Sequence, residues 1–125
     1  MSGVILHGRP YYILGLPESS RYPIWGFIDT TGKYVAIPQF SQVTSFKEGL
    51  AAVCVGNCES DGDGKEGYID KTGRFVINPQ FDSAYVFSNG LAQVEIGRYK
   101  SSDPGLRPKR GYIDKTGKYV WNPVN

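Results

Sequence analysis

At 125 residues, with 40% hydrophobic and 21% charged residues, the chain has the make-up of one globular domain and not of a disordered segment. Its formal net charge of +2 is too small to imply nucleic-acid or membrane binding by itself, and neither partner is expected. No apolar run approaches the roughly 18 residues of a membrane-spanning helix, and the opening MSGVILHGRPYY lacks the basic and apolar regions of a signal peptide, so a cytoplasmic location is expected.

Aromatic residues make up 14% of the chain, and Gly (16) and Pro (8) punctuate it. That mixture predicts many short strands joined by tight turns. The dominant feature is a phrase written three times: GFIDTTGKYVAIPQFS at 26–41, GYIDKTGRFVINPQFD at 67–82 and GYIDKTGKYVWNP at 111–123. Gly26 to Gly67 is a step of 41 residues, and Gly67 to Gly111 is one of 44, the three extra residues lying in the loop before Gly111. The same offset run backwards sets GRPYYILG at 8–15 on GLAAVCVG at 49–56, so the chain divides into units of about 8–48, 49–89 and 90–125.

Each unit predicts three short strands. The first covers 50–55 or 91–96; in the second of these Ala92, Val94 and Ile96 alternate with Gln93 and Glu95, which marks a strand with one wet face. The second strand is Gly-Tyr/Phe-Ile-Asp and the third is Tyr/Phe-Val followed by Ala, Ile or Trp. Between them Asp-x-Thr-Gly-Lys/Arg predicts a hairpin turn in which Asp29, Asp70 and Asp114 accept from turn amides. The Pro-Gln-Phe that follows is expected to end strand pairing, because proline has no N–H to donate. Phe81 and Phe87 are expected to pin the connector to the core, as Phe40 and Phe46 do in the unit before. Cys54 falls in a strand and Cys58 in the loop after it; two such cysteines are expected to be free thiols, with a local bridge closing a very short loop as the alternative.

The pattern Gly-Tyr/Phe-Ile-Asp-x-Thr-Gly-Lys-x-Val through Pro-Gln-Phe, a second Phe and Gly-Leu-Ala-x-Val resembles the WG-repeat (KWG) family of bacterial β-repeat proteins over 25–125. The Trp-Gly pair that names the family stands at Trp25-Gly26, and Glu66 and Arg110 replace the Trp in the later copies. The resemblance implies binding or assembly, with no shared catalytic residue to carry over. The expected fold is all-β, nine antiparallel strands in a solenoid-like array of three units. A closed threefold barrel of the β-trefoil kind is the alternative.

The residues offer little to an enzyme. His7 is the single histidine, no nucleophile–base pair accompanies it, and the paired carboxylates are turn aspartates, so no catalytic residue and no cofactor is assigned. ESDGDG at 59–64 imitates the start of a calcium loop, with Glu59, Asp61 and Asp63 at alternate positions and Asp70 at the twelfth, a weak metal candidate. The loops carry more signal. Residues 57–66 hold Glu59, Asp61, Asp63 and Glu66, while 98–110 hold Arg98, Lys100, Arg107, Lys109 and Arg110, and the two loops occupy the same place in successive units. The expected function is therefore a non-catalytic protein-binding module, an immunity or adaptor protein in its specific form, that meets an acidic partner through Arg98, Tyr99, Lys100, Arg107, Lys109 and Arg110. Tyr11, Tyr12, Tyr22, Tyr85 and Tyr99 supply the alternative, a carbohydrate- or cell-wall-binding module that stacks sugars on aromatic rings.

Overall fold

The computed structural model describes residues 10–13, 24–28, 31, 33–59 and 61–124. Among them there is no helix, and three antiparallel sheets follow one another in chain order. The first sheet holds β1 (Pro10–Ile13), β2 (Ile24–Ile28) and β3 (Tyr34–Phe40) in the order β1-β2-β3. The second holds β4 (Gln42–Val43), β5 (Leu50–Val55), β6 (Lys65–Asp70) and β7 (Phe75–Phe81); the third repeats it with β8 (Ser83–Ala84), β9 (Ala92–Ile96), β10 (Lys109–Ile113) and β11 (Tyr119–Val124). The nine expected strands are present, and the connectors add the two-residue strands β4 and β8. None of the described sheets closes on itself, so the open array, and not the closed barrel, is the architecture.

The phrase folds as its turn chemistry requires. In the β6–β7 hairpin Asp70 Oδ1 accepts from Thr72 N (2.8 Å), Thr72 Oγ1 (2.5 Å) and Arg74 N (3.2 Å), and Asp114 does the same for Thr116 and Lys118. The Thr72 hydroxyl and the turn amides hold the Asp70 carboxyl below its ordinary range, and those of Thr116 do so for Asp114. Asp29 lies outside the described residues. A second turn was not anticipated: Glu48-Gly49 and Asn89-Gly90 all have positive φ and close tight hairpins over Lys47–Leu50 and Ser88–Leu91.

Proline does not end the third strand. β3, β7 and β11 run through Pro38, Pro79 and Pro123, with register shifts opposite the glycine of the repeat. Between the pairs Glu66↔Phe81 and Tyr68↔Ile77, one residue of β6 faces three of β7, and the surplus forms a bulge. Each proline strand is an outer strand of its sheet, where the missing N–H deprives no neighbour. The bulge explains the glycine too: a Cβ on Gly67 would sit 2.5 Å from Ile77 O, and one on Gly111 would sit 2.7 Å from Trp121 O.

After the bulge the chain steps to the next sheet, and the step is apolar. Phe81 and Phe87 are 0% and 2% exposed, so both connector phenylalanines are pinned as expected. They sit with Leu50, Ala52, Tyr68, Ile77, Ala92, Val94 and Ile113 in the core between the second and third sheets. Tyr68 packs edge-on to Phe81 and Phe87 while its hydroxyl donates to Tyr85 O at 2.6 Å. A smaller core of Phe27, Phe40, Ala51, Val53 and Ile69 joins the first two sheets. β5 thus buries Ala51 and Val53 on one side and Ala52 on the other, whereas β9 buries Ala92 and Val94 and turns Gln93 and Glu95 outwards.

Cys54 and Cys58 are joined in a disulfide, not free, with Cα atoms 6.3 Å apart. The loop after β5 curls tightly, Asn57 Oδ1 accepting from Glu59 N and Asn57 O from Gly64 N, and that curl returns Cys58 to within bridging distance of the strand.

Beside the step, Asp82 is buried. Its Oδ1 meets Lys65 Nζ at 2.7 Å and Arg98 at 3.6 Å, and its Oδ2 accepts from Gly97 N at 2.6 Å. Burial alone would raise its pKa, but Lys65, the Gly97 amide and Arg98 outweigh that and hold it below its ordinary 3.8. Two predictions follow from this packing. Phe81→Ala and Phe87→Ala should each lose about 3–5 kcal/mol of unfolding free energy in urea titrations. Asp82→Asn should lose about 3 kcal/mol at neutral pH. Because the folded pKa is depressed, the Asp82 contribution is complete above the ordinary carboxylate value and disappears as pH falls through the folded one. The gap between wild type and Asp82→Asn in denaturation midpoint should therefore close in acid.

Candidate functional site

The two variable loops form one surface. Asp61 N donates to Tyr99 O (3.3 Å), and Asp61 Oδ1 accepts from Ser101 N (2.7 Å) and Ser101 Oγ (3.0 Å). Arg98, 8% exposed, donates to Gly62 O, Gly64 O and Asp82 O, and Lys100 Nζ donates to Gly62 O at 3.0 Å. The acidic and basic loops are on the same side, as expected from their place in the repeat, and they are directly laced together. Arg98 and Lys100 spend their donors inside the protein as braces between units. Tyr99, Arg107, Lys109 and Arg110 remain exposed on the surface.

The acidic loop does not gather its carboxylates. Glu59 and Asp63 are exposed, Asp61 is engaged with Ser101, and Asp70 is engaged in its hairpin turn. Among the described residues, the metal-ligating side chains that converge are instead Cys54, Cys58 and Glu66. His7 and the side chains of Tyr11, Tyr12 and Tyr22 lie outside the described residues.

The exposed loop residues border a face of unusual composition. Ile113 and Val94 point into the core, so the alternate residues of β9, β10 and β11 point away from the array. On that outer face Gln93, Tyr112 and Trp121 stand in register across three strands, and Glu95 pairs with Arg110 at 3.6 Å. Tyr85 joins Glu95 from the connector; burial raises its pKa, and the Glu95 carboxylate adds to that. Trp121 is 62% exposed and Tyr112 is 41% exposed. Arg107, Pro108, Arg110, Tyr112, Trp121 and Val124 line a cleft of about 490 Å³ at the junction of this face with the 98–110 loop.

Tyr112 and Trp121 were not singled out from the sequence, although a signal exists. Tyr112 repeats Tyr68, and Trp121 repeats Ile77, both of which are buried in the second unit. The aligned first-strand positions change from Ala52 and Cys54 to Gln93 and Glu95. The third unit thus keeps its inward residues and carries a polar and aromatic opposite face, which none of the described sheets covers.

The model of the WG containing repeat matches residues 25–57 and 67–99, the two stretches that hold the Gly-Phe/Tyr-Ile-Asp phrase, the proline bulge and the two connector phenylalanines. No curated protein and no solved structure matches the chain. On the strength of two matched copies and a third that repeats their hairpin, the chain belongs to the WG containing repeat family.

Proposed function

We propose that the chain is a non-catalytic binding module that captures an acidic protein partner on the outer face of its third sheet and the adjoining 98–110 loop. The observation that carries this reading is the cleft of Arg107, Pro108, Arg110, Tyr112, Trp121 and Val124. Trp, Tyr and Arg are the residues that dominate binding energy at protein interfaces, where an aromatic anchor is desolvated inside a rim of polar contacts. Here two such rings are held on neighbouring strands, Arg107 and Arg110 line the cleft beside them, and Lys109 adds charge at the strand's start. An adaptor, or an immunity protein that blocks its partner's working surface, would use such a rigid, preformed face.

A second reading rests on the same rings. Tyr112 and Trp121 side by side, with the Gln93 amide and the Glu95 carboxylate on the same face, also suit a sugar ring stacked on an aromatic platform. The two readings separate on charge. A protein partner steered by Arg107, Lys109 and Arg110 associates more slowly as salt rises, whereas stacking of a neutral glycan is nearly indifferent to salt.

The test is affinity capture with wild type, Trp121→Ala and the triple reversal Arg107→Glu/Lys109→Glu/Arg110→Glu, followed by association kinetics with the recovered partner. All three proteins should retain the wild-type fold, because the altered side chains are exposed. Trp121→Ala should weaken binding at least tenfold, mainly through faster dissociation. The triple reversal should slow association and flatten its salt dependence. A positive glycan array lost in Trp121→Ala but kept in the triple reversal, with no protein recovered, would replace the first reading by the second.

A further inference from the structure

The second unit differs from the third at three positions that meet in space. Where the third unit has Glu95, Tyr99 and Arg110, the second has Cys54, Cys58 and Glu66. Cys54 and Glu66 are direct partners across β5 and β6, and the Cys58 loop folds back onto them. One ligand atom from each of the three lies within 4.8 Å of the others. The strand pairing does not require these residue types, since the third unit forms the same ladder with other residues at these positions.

The cluster is also chemically odd for a scaffold. Glu66 is half-buried between the second and third sheets. Only Oε1 is bonded to the Ala84 amide, at 2.6 Å. Cys54 is fully buried, while Cys58 is partly exposed and opens the cluster to solvent.

We infer that Cys54, Cys58 and Glu66 form a binding site for a thiophilic divalent cation, zinc by its chemistry, when the disulfide is reduced. Two thiolates and a carboxylate are a ligand set zinc accepts, with Zn–S near 2.3 Å and Zn–O near 2.1 Å, and they select against calcium and magnesium. Tetrahedral coordination needs the two sulfurs about 3.7 Å apart. With Cα atoms at 6.3 Å, side-chain rotation about Cys54 and Cys58 can supply that spacing. The fourth position faces the open Cys58 side and is left to water or an exogenous ligand. Reduction by a thiol breaks the S–S bond: two reductant thiols become a disulfide, and their two electrons and two protons convert Cys54 and Cys58 to thiols. Those protons are released to solvent when the cation binds. Oxidised and metal-loaded forms thus exclude each other, so cation binding reports the redox state of the surroundings.

The experiment uses the whole chain, reduced anaerobically with a trialkylphosphine, for which water supplies the phosphine-oxide oxygen and the thiol protons. After the phosphine is removed, cobalt(II) is titrated in as a spectroscopic stand-in for zinc. The expected result is one equivalent bound per chain, with thiolate-to-cobalt charge-transfer absorption that zinc abolishes. Cys58→Ser should remove that absorption, Glu66→Gln should weaken binding about tenfold or more, and the oxidised protein should bind none. Absence of the absorption in reduced protein that keeps its β-sheet circular dichroism would overturn the inference, as would unchanged affinity in Glu66→Gln. Should reduction alone unfold the chain, refolding by zinc supports the site, and failure of zinc to refold it overturns it.

Discussion

The step from Phe81 to Asp82 is the constraint on which the array depends. A sheet this small cannot bury a face by itself, so each must pack a face against its neighbour, and the chain must leave one sheet and enter the next without a long crossover. It does so in a few residues. The bulge at Pro79 turns the outer strand, Phe81 drops into the core between sheets, and Asp82 is caught by Gly97 N, Lys65 and Arg98. Gly67 is part of the same device, because the bulging strand passes too close for any side chain there. The smaller clasp of Glu48, whose carboxylate oxygens accept from Asn89 N and Gly90 N, ties the turn of one unit to the equivalent turn of the next.

Three open sheets have exposed edges, and exposed edges invite aggregation. On one side the second and third sheets end in β4 and β8, two residues each. On the other, β3, β7 and β11 each carry a proline and a bulge. The proline reads from sequence as the end of a strand. In the fold it interrupts the outward edge of a strand that continues beneath it, and the same residue that kinks the chain towards the next sheet also protects the sheet it leaves.

The repeat made most of this architecture legible. Positions that recur are those the hairpin and the step demand: the turn Asp and Gly and the Gly under the bulge in all three units, and the connector phenylalanines in the first two. Strand alternation even distinguished β9 as half-wet. Three things were not legible. Strand pairing past Pro79 depends on which strand lies at the edge, a fact about neighbours and not about local propensity. The Cys54–Cys58 bridge depends on how the chain curls over the three residues between the cysteines. The inward role of Arg98 depends on the carbonyls of a loop that lies more than thirty residues away in the chain. Charge in a variable loop predicts outward-facing side chains; Arg107, Lys109 and Arg110 are exposed, whereas Arg98 is buried and Lys100 is partly buried against Gly62 O.

That difference shows how a repeat array should be searched for function. Recurrence identifies scaffold, and departure from recurrence is ambiguous until the neighbours are known. Arg98 departs from the repeat to serve the scaffold, since it fills a gap between two loops that the repeat leaves to vary. Trp121 and Tyr112 lie on strands that follow the repeat closely, yet both are exposed, because the third sheet covers the equivalent Ile77 and Tyr68 while no described sheet covers Trp121 and Tyr112. Position in the stack, and not residue type, converts a core residue into a surface one. In the third unit two aromatics stand where no described sheet covers them, and in the second two sulfurs and a carboxylate converge across β5 and β6.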